Sequence, residues 1–196
     1  MTAQMGDKFM IQDRSYTMAA ASNPIPFTPK EYGIIADACC TDCWRGFWCI
    51  YDFFDDEFVL RDLYVNSKDR NYPEINGVSV LKESELYEYA LYQNLQLRIP
   101  YTGNILVGND FIWAHYVHMG LQRPWAYQSL FELVIEEGIL LDVIDHSDLV
   151  QNLRNEIEKN PKNFYQNLDQ NVLEYLEKNL STDKESLTWW LDFWPE

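Results

Sequence analysis

The spacing of hydrophobic residues predicts strands over most of the chain. Residues 44–53 and 57–66 are rich in aromatic and β-branched side chains, and a polar break separates them. Both runs therefore predict β-strands. The first is apolar on both faces, as expected for a strand inside a sandwich or barrel. The second alternates between two sets of side chains, which are Phe58, Leu60, Asp62 and Tyr64 opposite Val59, Arg61, Leu63 and Val65.

Further short apolar runs follow. Two of them, 94–99 and 104–108, predict strands. Another two, 128–136 and 138–145, meet at a Glu-Gly pair and predict a β-hairpin. Strand alternation places one set of hairpin residues toward the core and the other set, with its carboxylates, on the opposite face. The core set is Phe131, Leu133 and Ile135, and the opposite set is Leu130, Glu132, Val134 and Glu136. Short strands joined by turns predict a mostly antiparallel β-core, built as a sandwich or a barrel-like sheet.

The hydrophobic period changes after Asp145. Ser147 is the predicted N-cap of a helix in which leucine or isoleucine recurs every four residues up to the stop at Asn160-Pro161. A second amphipathic helix follows within 164–180, and the capping box of Thr182 and Glu185 predicts a third. The fold class is therefore α+β. We expect one domain, 1–196, with a β-rich core, 1–146, and a helical C-terminal segment, 147–196, packed on it.

Length and composition agree with a globular protein. The chain has 196 residues, of which 47% are hydrophobic and 15% aromatic, which is enough to fill one core. The sequence contains no run of about 18 apolar residues and therefore predicts no membrane span. Asp7 and Asp13 interrupt the region where a signal peptide would need an apolar stretch. We therefore expect a cytoplasmic protein whose cysteines are thiols.

The formal net charge of −16 restricts the possible partners. Within residues 101–150, Arg123 is the only Lys or Arg, against seven carboxylates. Such a surface repels nucleic acid and anionic membranes, so neither is an expected partner. Two interpretations remain open: the charge serves solubility alone, or it steers a basic protein partner toward the surface.

The four cysteines fall within eleven positions, at Cys39, Cys40, Cys43 and Cys49. Cys40 and Cys43 have the spacing of half a zinc site, but no second pair follows. A thioredoxin-like pair would lie between a strand and a helix, whereas this pair precedes a strand. The favoured interpretation is that these cysteines are packing or loop thiols.

The histidines offer other possible chemistry. His115 and His118 lie three residues apart, and Asp110 could complete a metal-binding triad with them. Ser129, His118 and Asp142 could be assembled into a hydrolytic triad, but no Gly-x-Ser-x-Gly motif supports it. No glycine-rich phosphate loop is present. The sequence therefore predicts no catalytic residue, no cofactor and no metal ligand, although it leaves the question of enzymatic activity open.

Several short motifs resemble those of a known group of proteins. The chain resembles a family of uncharacterised soluble bacterial proteins in four motifs. These are WRGFW at 44–48, YTGNILVG at 101–108, YVHMG at 116–120 and the SLFELVIEEG hairpin that follows. The resemblance covers roughly residues 44–146. It implies a β-rich core and a bacterial source, and it implies no activity.

Two functional hypotheses follow. The first is a non-enzymatic acidic protein, of the kind that includes immunity proteins and inhibitors, that binds a basic protein. Its predicted binding residues are Glu132, Glu136, Glu137, Trp113, Trp125 and Tyr127. The alternative is a small-molecule pocket in the β-core, with or without catalysis, lined by Arg45, Trp48, Tyr116 and His118. A buried Arg45 would need an anionic partner, for which Asp62 is an internal candidate. The sequence gives neither the ligand nor the oligomeric state.

Overall fold

A computed structural model describes residues 2–22, 26–38, 40–81, 89–118 and 120–159. The strands are β1 Lys8–Ile11, β2 Arg14–Ala21, β3 Phe47–Phe54, β4 Glu57–Val65, β5 Ala90–Tyr92, β6 Leu97–Arg98, β7 Gly103–Phe111, β8 Tyr127–Glu136 and β9 Ile139–Asp145. Helix α1 spans Ser147–Lys159, and short 3₁₀ helices span Pro29–Tyr32, Trp113–His115 and Pro124–Ala126. The second and third predicted helices fall outside the described residues.

Seven of these strands close into a barrel. They are hydrogen-bonded in the order β3, β1, β2, β7, β8, β9, β4, and β4 pairs back with β3 to complete the circle. The β1–β3 pair is parallel, and the other pairs in the circle are antiparallel. Strands β5 and β6 pair with β4. The prediction of a mostly antiparallel β-core is confirmed, and its form is the barrel rather than the sandwich.

The barrel interior is filled by aromatic and aliphatic side chains. The rings of Phe9, Tyr51 and Phe58 form its centre, with Tyr51 5.1 Å from Phe9 and 5.0 Å from Phe58 between ring centroids. Leu133 and Ile135 of β8 are buried in the same cluster, and Phe131 packs against it. The predicted inward face of β8 is therefore confirmed.

The predicted alternation of β4 holds only for its first half. The register with β3 shifts between Ile50 and Tyr51, so that Arg61 faces no residue of β3. This β-bulge reverses the direction of the side chains that follow. As a result Leu60 and Leu63, which the sequence pattern placed on opposite faces, both lie in the interior cluster.

Helix α1 covers part of the outside of the barrel. Its buried residues Val150, Leu153 and Ile157 belong to a second cluster with Leu106 of β7 and Leu130 of β8. The first predicted helix is present, and it packs on the outer face of the sheet. No helix among the described residues is long and apolar enough to span a membrane.

The start of α1 differs from the prediction. The carboxylate of Asp145 accepts a hydrogen bond from the Ser147 N–H at 2.8 Å. The hydroxyl of Ser147 instead accepts the N–H of Leu130 at 3.2 Å, which connects the helix to β8. The side-chain cap is therefore provided by Asp145, and the prediction of Ser147 as N-cap was wrong.

Candidate functional surface

Two acidic hairpin turns lie side by side on the barrel. The β3–β4 turn has Asp55 and Asp56 at φ 49° and 64°, and the β8–β9 turn has Glu137 and Gly138 at φ 49° and 80°. Two successive residues with positive φ are typical of type I′ hairpin turns. A Cβ at Gly138 would lie 2.6 Å from the carbonyl oxygen of Ile99, so this position needs glycine for space as well as for its backbone conformation.

Backbone hydrogen bonds hold the two turns together. The Leu140 N–H donates to the carbonyl of Asp56 at 2.9 Å, and the Phe58 N–H donates to the carbonyl of Gly138 at 2.7 Å. The Glu137 N–H also donates to the hydroxyl of Thr102 at 2.9 Å. The positions of both turns are therefore set mainly by the backbone hydrogen bonds between β4 and β9, and the Thr102 hydroxyl adds one side-chain contact to the second turn.

The adjoining turns combine negative charge with exposed apolar side chains. The carboxylates of Asp55, Asp56 and Glu137, and that of Glu136 at the end of β8, are exposed. Phe54 and Leu141 are exposed as well, with 66% and 58% of their full accessible area. Glu57 also lies here, but it forms an exposed ion pair with Arg98 at 3.0 Å. We call this area the hairpin surface, and its residues are Phe54, Asp55, Asp56, Glu136, Glu137 and Leu141.

The hairpin surface differs from the binding face expected from the sequence. Glu136 and Glu137 are exposed as expected, but Glu132 is fully buried, and Trp125 and Tyr127 are buried as well. Trp113 is 78% exposed and packs edge-on against Phe111. The six predicted residues therefore do not form one exposed face, because α1 and its preceding residues cover the face of β8 on which Glu132 lies.

Glu132 takes part in a buried polar contact between the barrel and α1. Its carboxylate oxygens lie 2.8 Å from the amide nitrogen of Asn104 and 2.8 Å from Nε2 of His146. His146 also donates its backbone N–H to the carbonyl of Leu130 at 2.8 Å. These contacts fasten the residue before α1 to strands β7 and β8, which assigns Glu132 a structural position.

Arg45 is paired inside the protein, as expected, but with a different carboxylate. Its guanidinium donates two hydrogen bonds to Asp7, which is fully buried and also accepts the Cys49 N–H at 2.8 Å. Burial lowers the pKa of Arg45, but the charge and hydrogen bond of Asp7, together with the neighbouring Cys49 and Tyr51, outweigh that effect and raise the pKa above its usual value. Asp62, the suggested partner, instead accepts a hydrogen bond from Arg61 at 3.0 Å.

The predicted pocket residues fall into two separate groups. Trp48 stacks on Tyr64 with ring centroids 3.9 Å apart, and Tyr116 contacts His118 with centroids 5.1 Å apart. Among the described residues, neither Arg45 nor Trp48 shares a hydrogen bond, ion pair or ring contact with Tyr116 or His118. Because Asp7 already neutralises Arg45, the main reason for expecting an external anion at this arginine is removed.

A cavity of about 100 Å³ lies beside Tyr116. Burial and the nearby charge of Arg154 lower the pKa of His115, one of its lining residues. The full lining consists of Ala114, His115, Tyr116, Val117, Arg123, Trp125 and Ile157. Ligand pockets for metabolite-sized molecules are typically about 300–1,000 Å³. The cavity is therefore too small to hold such a molecule without rearrangement.

The cysteines lie mainly in the packed interior. Cys43 and Cys49 are buried, and burial raises the pKa of both thiols. The thiol of Cys43 donates to the carbonyl of Phe47 at 3.2 Å, and that of Cys40 lies 3.1 Å from the hydroxyl of Tyr89. These positions agree with packing thiols, while Cys39 is outside the described residues.

The other residues considered for chemistry are not assembled. Within the described part of the chain, no three His, Cys, Asp or Glu side chains are arranged to hold a metal ion. Asp110, His115 and His118 therefore do not form the metal-binding triad considered from the sequence. Ser129, His118 and Asp142 share no hydrogen bond in the same part of the chain. The structure therefore gives no support to either of the triads considered from the sequence.

Comparison with protein-family models, curated proteins and solved structures finds no match to this chain. The resemblance to uncharacterised bacterial proteins stays a prediction from short motifs. The geometry of the hairpin surface is consequently the main guide to function.

Proposed function

We propose that this protein is a non-enzymatic binding protein whose hairpin surface docks a basic protein partner. The observation that carries the proposal is the side-by-side attachment of two acidic turns, through the Leu140–Asp56 and Phe58–Gly138 hydrogen bonds. Attachment concentrates four exposed carboxylates in one area, next to Phe54 and Leu141. Charge and apolar contact are thus available to the same partner.

The two kinds of residue have different roles in this proposal. A single exposed ion pair contributes only about 0.2–1 kcal/mol, so the carboxylates act mainly through their combined field. Such a field speeds the encounter with a cationic surface and selects its orientation. Phe54 and Leu141 supply affinity, since fully burying a side chain of this size contributes about 1.5–3 kcal/mol. Large aromatic anchors surrounded by polar residues are common at binding hot spots.

The rigid geometry of the hairpin surface favours binding. Both turns are two-residue turns, and both are held by backbone hydrogen bonds to the barrel. Ordering a flexible loop on binding opposes association, so a surface that is already ordered avoids that cost. The polar turns of the two hairpins can therefore present their charges in one fixed arrangement.

Affinity capture with three baits tests the proposal. The baits are the wild type, a hairpin variant and a control variant, each incubated with lysate of the native host. The hairpin variant is Asp55→Asn, Asp56→Asn, Glu136→Gln and Glu137→Gln. Asn tolerates the positive φ of the first turn. The control variant neutralises four other exposed carboxylates, by Glu31→Gln, Glu74→Gln, Glu156→Gln and Glu158→Gln.

The two variants carry the same net charge, so they separate position from total charge. We expect a basic protein to be recovered by the wild type and the control variant and to be lost from the hairpin variant. Recovery of the same basic protein by all three baits would place its binding site elsewhere. Failure of the wild type to recover any basic protein at low and moderate salt would reject the proposed function.

A further inference from the structure

Among the described residues, strand β9 is paired along the length of one edge but at only one position along the other. It pairs with β8 from Ile139 to Asp145, but with β4 only at the Glu57–Ile139 pair. The corresponding edge of β4 is occupied by β6 from Val59 and by β5 from Leu63. Among the described residues, the edge of β9 from residue 141 onward therefore lies free of another strand.

The backbone at this edge includes a donor that is used only locally. The Val143 N–H donates to the side chain of its own neighbour, Asp142, at 2.8 Å. In an antiparallel sheet, alternate residues direct their N–H and C=O groups to opposite neighbouring strands. Val143 thus directs its N–H away from β8, where an added strand would accept it. The side chains of Leu141 and Val143 are exposed at the same edge.

The edge also carries features that prevent pairing between copies of this chain. A register shift leaves Leu141 opposite no residue of β8, and Asp142 and Asp145 are exposed. Bulges and charges are common means of protecting edge strands. Residues 124–153 contain no Lys or Arg, and the chain as a whole carries a net charge of −16. A second copy is therefore repelled, whereas a cationic segment is attracted.

We propose that β9 binds an extended, Lys- or Arg-rich segment of the partner as an added β-strand. This inference rests on the proposed function, because it specifies how the basic partner binds next to the hairpin surface. β9 begins directly after the Glu137-Gly138 turn, so the two areas are continuous. On binding, Asp142 releases the Val143 N–H to a carbonyl of the added strand and pairs with one of its basic side chains. Main-chain hydrogen bonds then supply affinity in the manner of β-augmentation.

A synthetic peptide tests this binding mode. The probe is a short peptide of alternating lysine and valine, and its control is the same peptide with every internal backbone amide N-methylated. Both peptides have the same charge, but only the first can donate strand hydrogen bonds. We expect methylation to weaken binding to the wild-type protein by about tenfold or more, the effect of losing one or two hydrogen bonds. Amide hydrogen exchange of Val143 should slow when the unmethylated peptide is added.

A variant of the protein provides the matching comparison. Val143→Pro removes the outward N–H at an edge position where proline is tolerated, and Val143→Ala retains that N–H. We expect Val143→Pro to weaken peptide binding by about tenfold and Val143→Ala to leave it within about threefold. Should Val143→Pro fail to fold, the exchange measurement on the wild type still decides the question.

The outcomes distinguish this inference from the proposed function. Equal binding of the two peptides, or unchanged exchange at Val143, would overturn strand addition while leaving charge-driven docking at the hairpin surface intact. Absence of binding by both peptides would likewise overturn the inference. The proposed function is tested separately by affinity capture, and it fails if the hairpin variant still recovers the folded basic partner.

Discussion

Single residues show how far local sequence can predict long-range contacts. The position of Arg45 in an apolar, aromatic segment correctly indicated an internal ion pair. Its partner, Asp7, was not predicted because the two residues become neighbours only when β1 pairs in parallel with β3. The adjacent Gly46 lies against the backbone of Asp37, where a side chain would not fit. The local signal identifies the need for a contact, and the topology decides which residue provides it.

The first prediction compares a buried and a partly exposed carboxylate. Asp7→Asn leaves the largely buried Arg45 without a countercharge and should lower the free energy of unfolding by about 3–5 kcal/mol. Asp52→Asn removes the partly exposed ion pair of Asp52 with Arg61 and should cost about 0–1 kcal/mol. Urea denaturation measures both values. Adding Arg45→Met to Asp7→Asn should recover part of the loss, whereas equal costs for the two single variants would contradict the account of Asp7.

The second prediction separates backbone strain from steric crowding at glycine. Gly33 and Gly46 have similar φ values of 77° and 75°. A Cβ added at Gly33 meets no atom within 4 Å, whereas a Cβ added at Gly46 would lie 2.4 Å from the carbonyl oxygen of Asp37. Gly33→Ala should therefore cost about 1–2 kcal/mol, from the left-handed conformation alone. Gly46→Ala should cost about 1–3 kcal/mol more because its neighbours must move. Similar denaturation midpoints for the two variants would show that the crowding is relieved easily.

At the scale of elements, regular periodicity was the reliable signal. The helix after β9 was predicted because its apolar positions recur every four residues, and the β8–β9 hairpin because two apolar runs meet at a Glu-Gly pair. β1 and β2 were not predicted, since β1 has only four residues and β2 ends in a run of alanines. Those alanines are nevertheless part of the strand, and Ala19 and Ala20 are buried in the cluster that also contains residues of α1. The bulge at Arg61 and the covering of Glu132 likewise depend on neighbouring elements.

The third prediction concerns the packing of α1 on the barrel. Leu153 is buried between the helix and the outer face of the sheet, so Leu153→Ala should lower the free energy of unfolding by about 2–5 kcal/mol. Asn155 is exposed on the same helix, and Asn155→Ala should change stability by no more than about 0.5 kcal/mol. Thermal denaturation followed by circular dichroism compares them. A negligible effect of Leu153→Ala would mean that α1 does not stabilise the barrel.

At the scale of the whole molecule, barrel closure decides which charges act together. The acidic composition left two interpretations open, solubility alone or the steering of a basic partner. Two of the carboxylates predicted for the second, Glu136 and Glu137, lie on the hairpin surface. Asp55 and Asp56 appeared in the sequence only as a polar break between strands. They reach the other hairpin because β4 meets β9 at one pair of residues, Glu57 and Ile139. A contact between segments about 80 residues apart has no local sequence signal, so the composition of this surface required the structure.

The association rate with the captured partner tests the central claim most directly. Stopped-flow measurements at several salt concentrations would compare the wild type with the hairpin and control variants, which carry the same net charge. If the hairpin surface steers the partner, the association rate of the hairpin variant should be about tenfold lower at low salt and should lose most of its dependence on salt concentration. The association rate of the control variant should stay within about threefold of the wild-type rate. Equal slowing of the two variants would contradict the account, because the attraction would then follow total charge rather than the two adjoining turns.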